Sequence, residues 1–332
     1  MAAHHRPLNA QQLLAVVLDA VDQAGWQAIT LSARKPFRLR IHGGEDKGFD
    51  VSVYIWNCTH GGGSARAADE YRIQLTSVVP ALEPGVTTLL LGWHAGYGVF
   101  VAFDIARHSG QDSASPSIQV NEETLSQAHT KAFAQYRRGN GEVAVAFRPE
   151  FLVDYALSAK SLHSIGAASK DMALLNQLSE VSDAEIAAIP SAKRRIVIAQ
   201  IARKYRAHDF RSRVLGAYGH RCAFCSVQLN VLDAAHIVPV ADEYSSDATS
   251  NGLALCKLHH AAFDRNLVAI TESLQIETSE FAVQQLRSLE RDGGWSAFRR
   301  NLRPAILLPS DRRDYPDRRL VARARQVRNW RA

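Results

Sequence analysis

"LCKLHHAAFD", residues 255–264, sets two histidines side by side just behind a cysteine, and how it is read decides how the second half of the chain folds. Upstream, "HRCAFC" (220–225) holds Cys222 and Cys225 as a C-x2-C pair, and Cys256 with His259 forms a C-x2-H pair after 30 intervening residues. Two chelating pairs of soft and borderline donors suit one tetrahedral ion, because each short turn presents two ligands to the same point; structural Zn²⁺ is the expected occupant. Taken singly, any of these cysteines also reads as a small buried hydrophobe. Cys58, outside the set, reads as a strand residue. If residues 257–264 are helical, as their Leu, Ala and Phe suggest, His259 and His260 project roughly 100° apart and cannot easily serve one ion. His259 then joins Cys256 at the zinc, and His260 faces another way, on the side of Asp264 four residues on. A second site is expected there.

Between the cysteine pairs lies "LDAAHIVPV" (232–240), whose His236 is flanked by apolar β-type residues, and Asn251 opens "NGLALC" just before the ligand Cys256. His236, Asn251 and His260, in that order within a metal-clamped hairpin and helix, resemble the HNH nuclease family in its zinc-stapled, restriction-type form. The matching run extends from Arg213 to Phe263 and slightly beyond. The resemblance implies a ββα-metal fold and hydrolysis of a DNA phosphodiester. It makes His236 the general base, a role that suits imidazole because its pKa lies near operating pH. It makes Asn251 the brace of the loop that aims His236, and His260 a ligand to a catalytic divalent cation, Mg²⁺ or Mn²⁺. Arg221, Lys257 and Arg265 are candidate phosphate contacts, with plain solvation as the alternative. One position departs from the pattern. Many HNH nucleases carry Asp or His immediately before the general base as a second metal ligand, and here that residue is Ala235. The cation is then expected to rest on His260, substrate phosphate and water, with Asp233 or Asp264 in support.

The 332 residues exceed what one core usually serves, so two domains are expected. Residues 1–163 read as a strand-rich α+β domain for DNA recognition, in which a β-barrel is one way to close the strands. Residues 164–190 read as a connector, 191–302 as the nuclease domain behind a basic helix, and 303–332 as an Arg-rich arm that clamps phosphates or supports a dimer. The charge is concentrated in the second half: eight Lys/Arg against one acid from Ser191 to Arg213, and nine Arg against three Asp from Arg303 on. That half is the one expected to face a polyanion; solvated helix faces are the alternative. In the first half, "YIWNCTHGGGSARAADEYRIQL" (54–75) offers Tyr54 and Trp56 as stacking surfaces and Arg66 and Arg72 as groove contacts, or else simple core aromatics beside a long hairpin loop. His94 and Tyr97 in the "GWHAGYG" turn are weaker candidates.

Four cysteines in a chain of this length do not form a disulfide framework, and "MAAHHRPLNA" lacks an apolar signal core, so a cytoplasmic protein with reduced thiols is expected. No apolar run approaches the roughly 18 residues of a membrane span. The leading expectation is a metal-dependent endonuclease of the restriction or defence kind acting on double-stranded, modified or unmodified DNA. A homodimer is expected as well, because cutting both strands calls for two nuclease copies. The rivals are a catalytically silent, zinc-stabilised DNA-binding protein and an HNH effector gated by a small-molecule or protein signal.

Overall fold

A computed structural model of the chain describes residues 6–43, 48–61, 67, 69–110, 116–165, 173–178, 181–229 and 231–332. It divides into two compact units, Met1–Tyr205 and Arg206–Ala332.

The first unit opens with helix α1 (Ala10–Gln23), where Asn9 and Gln12 cap each other's backbone N–H groups. The strands that follow are β1 (Gln27–Ser32), β2 (Phe37–His42), β3 (Phe49–Asn57), β4 (Thr59–His60), β5 (Glu70–Gln74), β6 (Thr87–His94) and β7 (Val99–Phe103). After a short helix α2 (Ile105–His108) come β8 (Ser117–Asn121), α3 (Glu122–Lys131), β9 (Phe133–Arg137), β10 (Val143–Phe147) and α4 (Leu152–Ile165). Seven strands form one sheet in the order β1-β2-β3-β6-β7-β10-β9, and β4, β5 and β8 form a smaller sheet. In the large sheet β3 and β6 run parallel, while β6 and β7, in "TTLLLGWHAGYGVFVAFD", form an antiparallel hairpin.

Both faces of the large sheet are covered. Val51, Val53 and Ile55 of β3 pack with α1 and α4, whereas Tyr54 and Trp56 of the same strand pack with β5, β8 and α3. A strand buried on both faces reads as one apolar run instead of an alternation, which is the character of "VSVYIW" (51–56). The sheet is open, with β1 and β9 at its edges, so the barrel closure considered for the first half does not occur. Layers on each face, and not curvature of the sheet onto itself, hide its apolar surface.

Described residues of the segment expected to be a connector enter this core. Leu175, Leu178, Val181, Ile186 of helix α5 (Asp183–Ala187) and Ile189 are buried in the same cluster as α1. Their apolar side chains are too sparse to announce an amphipathic helix in the sequence, yet each fills the core. Helix α6 (Ala192–Ala217) follows, and the division between the units falls within it: Val197, Ile198 and Ile201 bury in the first core, Phe210, Val214 and Leu215 in the second.

The second unit is built on strand β11 (Leu232–His236), strand β12 (Gly252–Cys256) and helix α7 (Lys257–Asp264). The two strands pair antiparallel, with Leu232 opposite Cys256 and His236 opposite Gly252. Strands β13 (Val268–Ile270) and β14 (Ile276–Thr278) and helices α8 (Glu280–Ser288), α9 (Trp295–Arg300) and α10 (Arg318–Val327) complete it. Part of the Arg-rich segment from 303 on packs into this unit. Ile306, Val321 and Ala324 lie in the core, and two of the arginines pair with acids elsewhere in the unit, Arg323 with Asp242 at 2.7 Å and Arg325 with Glu277 at 2.8 Å, while Arg312, Arg318 and Arg319 are exposed. Among the described residues, no helix is long and apolar enough to cross a membrane.

Candidate active site and metal centre

Cys222 and Cys225 sit on a turn just beyond α6. Its geometry is fixed by Cys222 N–H donating to Val227 O (2.9 Å) and Ser226 N–H donating to Cys222 O (2.8 Å). Cys256 caps the N-terminus of α7, and His259 projects from its first turn into the core at 2% exposure. The Sγ atoms of Cys222, Cys225 and Cys256 and the His259 nitrogen lie within 4.8 Å of one another. Nδ1 of His259 stands 3.2 Å from Cys256 Sγ and 3.5 Å from Cys222 Sγ. Its Nε2 is buried without a hydrogen-bond partner, and the ring is flanked by Phe224 and Phe298. The imidazole thus spends its polar reach on the sulfurs. Burial and the neighbouring Cys222 push the Cys225 thiol up to about 12, and burial raises Cys256 as well. Burial also acts upward on Cys222, but hydrogen bonding from His259 and nearby backbone N–H groups outweighs it and brings this thiol down to about 6. Three crowded sulfurs and one imidazole, with a single thiolate favoured, can hold a soft or borderline metal ion such as zinc.

His260, one residue on, faces away from this cluster. Its Nδ1 lies 3.5 Å from Asp233 Oδ2 and its Nε2 lies 3.4 Å from Asp264 Oδ2, so the ring is bracketed by two carboxylates. His260 and Lys257 beside it hold the Asp233 carboxyl well below its usual range, against the opposing effect of burial. Ala235 is on the same strand as Asp233 but buried at 1%, its methyl filling the hairpin core. Arg328, just beyond α10, reaches the other side of the bracket. One of its nitrogens is 3.5 Å from Asp264 Oδ1, another donates to the His236 carbonyl at 3.3 Å, and the guanidinium covers the Phe263 ring at 4.5 Å.

His236 ends β11. Its ring stacks on Phe210 of α6, centroids 3.9 Å apart and planes within 14°, and Nε2 meets Asp247 Oδ1 at 2.9 Å. The loop from Ile237 to Asn251 returns the chain to β12, and Asn251, fully buried, ties it down. Its Oδ1 accepts from Val238 N–H (3.0 Å), and its Nδ2 donates to Ser246 O (2.9 Å) and Ser245 Oγ (3.3 Å). Arg213 grips the loop from α6, donating to Asp247 O (2.7 Å) and Thr249 Oγ1 (3.0 Å). Gly252, across from His236, makes room for this packing, because a Cβ there would lie 2.3 Å from Val214 Cγ2 and 3.1 Å from Phe210 Cζ. Gly252→Ala is expected to cost about 1–3 kcal/mol through overpacking. It should also lower any activity that depends on His236, because Phe210 must shift; thermal unfolding and turnover of the variant check both.

The remaining residues singled out from sequence are dispersed. Lys257 is engaged by Asp233, Arg221 is exposed, and Arg265 is exposed beside an apolar groove of about 480 Å³ lined by Leu258, Trp295 and Phe298. In the first unit Arg72 lies on β5, and Arg66 is outside the described residues. Tyr54 and Trp56 are core aromatics rather than stacking surfaces. Both are buried, with Tyr54 Oη accepting from Ala81 N–H and Trp56 Nε1 donating to Thr76 O. His94 is buried against Tyr71, and Tyr97 Oη donates to Glu122 at 2.8 Å. Sequence reasoning missed Phe210, Arg213, Asp247 and Arg328. The acid four residues before Asn251 was the one local signal that could have been followed.

The family model described as HNH endonuclease matches residues 222–271, a span that contains both Cys/His pairs, His236, Asn251 and His260. This segment is an HNH endonuclease domain. By class, the HNH domain makes the chain a hydrolase that cleaves DNA. In the first unit, the family described as methylase-associated X1 matches residues 49–156, from β3 into α4. A solved structure titled "Modification dependent TagI restriction endonuclease" aligns with 98% of this chain and 94% of its own at 15% identity, with a TM-score of 0.27. No curated protein matches the chain.

Proposed function

We propose that the protein is a metal-dependent DNA endonuclease of the restriction or defence kind, in which the first unit selects a DNA sequence or a modified base and the HNH domain cuts. The observation that carries this reading is His236, an imidazole held by Phe210 and Asp247 at the end of the HNH hairpin. Hydrolysis needs a base at that point. His236 takes a proton from a water molecule while the water oxygen bonds to phosphorus and the bond to the 3′ oxygen breaks. The departing oxygen takes a proton from solvent and His236 later returns its own, so one water is consumed and a 5′-phosphate and a 3′-hydroxyl result. Asn251 keeps the loop behind His236 in place through its three side-chain hydrogen bonds.

Cys222, Cys225, Cys256 and His259 would hold structural Zn²⁺. His260 with Asp233 or Asp264 would hold Mg²⁺ or Mn²⁺, a choice supported by an imidazole nitrogen and carboxylate oxygens only 3.4–3.5 Å apart. When bound, that cation supplies neutralisation of charge on the scissile phosphate and the leaving oxygen. Arg221 and Arg265 are proposed phosphate contacts on DNA and Arg72 a proposed groove contact. A match to a family named for its association with methylases supports a first unit that works alongside modification of DNA. A homodimer and a cytoplasmic location belong to the same reading, since both strands must be cut and the cysteine donors require reduced thiols.

The test uses the purified full chain on matched plasmids that are unmodified or carry methylated cytosine, hydroxymethylated cytosine or backbone sulfur, with Mg²⁺ and Mn²⁺ supplied separately. Cutting of one modified plasmid alone is the result expected of a modification reader. Cutting of all of them would rule out a modification reader and favour a sequence-specific or non-specific nuclease, and binding without cutting under every condition would overturn the proposal in favour of a silent DNA-binding protein or a gated effector.

A further inference from the structure

We infer that Asp247 is the positioning residue of the general base: its carboxylate fixes His236 as the Nε2–H tautomer, so that Nδ1 is the nitrogen that takes the proton from water. This rests on the reading of His236 as the base and adds to it a second residue and a chosen atom. An ionised carboxylate only accepts hydrogen bonds, so the 2.9 Å contact between Asp247 Oδ1 and His236 Nε2 requires the proton to reside on Nε2. Nδ1 then carries the lone pair. The ring cannot easily turn to exchange its nitrogens, because one face lies on Phe210 at 3.9 Å.

Asp247 is itself held from both sides of the chain. Its carbonyl accepts from Arg213 Nη2 at 2.7 Å, and Arg213 is steadied by Asp209 at 2.8 Å and by Thr249 Oγ1 at 3.0 Å. On the other side, the carbonyl of Ser246 accepts from the buried Asn251 amide at 2.9 Å. The loop therefore delivers one carboxylate to one ring nitrogen. The charged groups around His236 are Asp247 at the ring edge, Arg213 behind it, and Arg328 on the His236 carbonyl. When His236 accepts the proton, the imidazolium forms beside Asp247, which stabilises it where charge develops. Asp247 is 42% exposed, and an ion pair that open to water contributes little to folding, so its placement is better explained by what it does to the imidazole.

Two variants of the full chain test this, Asp247→Asn and Asp247→Ala, on whichever plasmid the parent cuts. Both are expected to lower kcat roughly 10²-fold or more while KM, plasmid binding and the unfolding temperature stay near parental values. Asp247→Asn should be the poorer of the two, because an amide can donate to Nε2 and so favour the opposite tautomer. In ¹⁵N-histidine spectra, with His236→Ala used to identify the resonance, the parent should give an Nε2–H signal for residue 236 that disappears in Asp247→Asn. A kcat within threefold of the parent in both variants overturns the inference, and so does a loss of kcat with the tautomer unchanged. Cleavage that survives His236→Ala would instead overturn the base itself, so failure of the underlying reading is told apart from failure of this one.

Discussion

His236→Ala in the full-length protein is expected to lose cleavage by about 10²- to 10⁴-fold, the contribution of a well-placed general base, or about 3–5 kcal/mol of barrier. The loss should fall on turnover and leave folding almost intact. The ring is at the surface of its unit, 18% exposed, and its packing consists chiefly of one face against Phe210. Removing it forfeits a stacked pair worth about 0.5–1.5 kcal/mol, which shifts thermal unfolding modestly. Plasmid binding and unfolding temperature measured beside the cleavage rate separate the two effects. Substantial cleavage by the variant would remove His236 from the chemistry and with it the alignment of the HNH motif proposed for this chain.

Chelation is expected to have the larger structural effect. A structural zinc in a small domain contributes about 10–16 kcal/mol of apparent binding free energy, which is comparable to the whole stability of a typical domain at about 5–15 kcal/mol. The second core is assembled from the turn at Cys222, the hairpin and α7, together with the segment around Ile306 and Val321, and an ion held by Cys222, Cys225, Cys256 and His259 would tie the first three together. Stripping the ion, or substituting Cys256→Ser, should therefore abolish cooperative unfolding of the second unit and all cleavage. Metal analysis should return one zinc per chain. The effect should deepen with acid. Without an ion Cys225 sits up to about 12 and Cys256 is also raised, so binding must displace their protons, and affinity weakens as pH falls. A protein that stays fully folded in chelator, with the cysteines freely alkylated, would show that the cluster is not a metal centre.

Much of the site could be read from sequence because its chemistry is local in the chain. C-x2-C and C-x2-H spacings bring ligands together by turn geometry alone, and the roughly 100° offset along a helix separates His259, turned into the core, from His260, turned toward Asp233 and Asp264. The same holds for elements with strong local signals. Phe37–His42 alternates buried and exposed residues along a strand, a pattern visible in the sequence, and Asn121 caps α3 with its side chain. Legibility ends where partners are distant. Arg213 and Asp247, 34 residues apart, show no pattern that would pair them, and Phe210 is one more apolar residue in a basic helix until it meets His236. The segment 164–190 looked like a linker because, among its described residues, the buried side chains are few and widely spaced, a density that periodicity cannot distinguish from surface. In the tail, arginine counts measure charge but not its destination: Arg323, Arg325 and Arg328 pair with Asp242, Glu277 and Asp264, distant acids that no local spacing announces, while Arg312, Arg318 and Arg319 stay exposed.

Arg328 sets the order in which the centre can come into being. It follows Asp264 by 64 residues and His236 by 92, yet it contacts both. A ribosome that has delivered the whole motif, from Cys222 to Asp264, has still not delivered the guanidinium that neutralises Asp264 and holds the His236 carbonyl. Residues that pack as α10 must emerge and fold first. The candidate site is thus completed late, because the chain from Cys222 to Asp264 still lacks two of its contacts until Arg328 has emerged and packed.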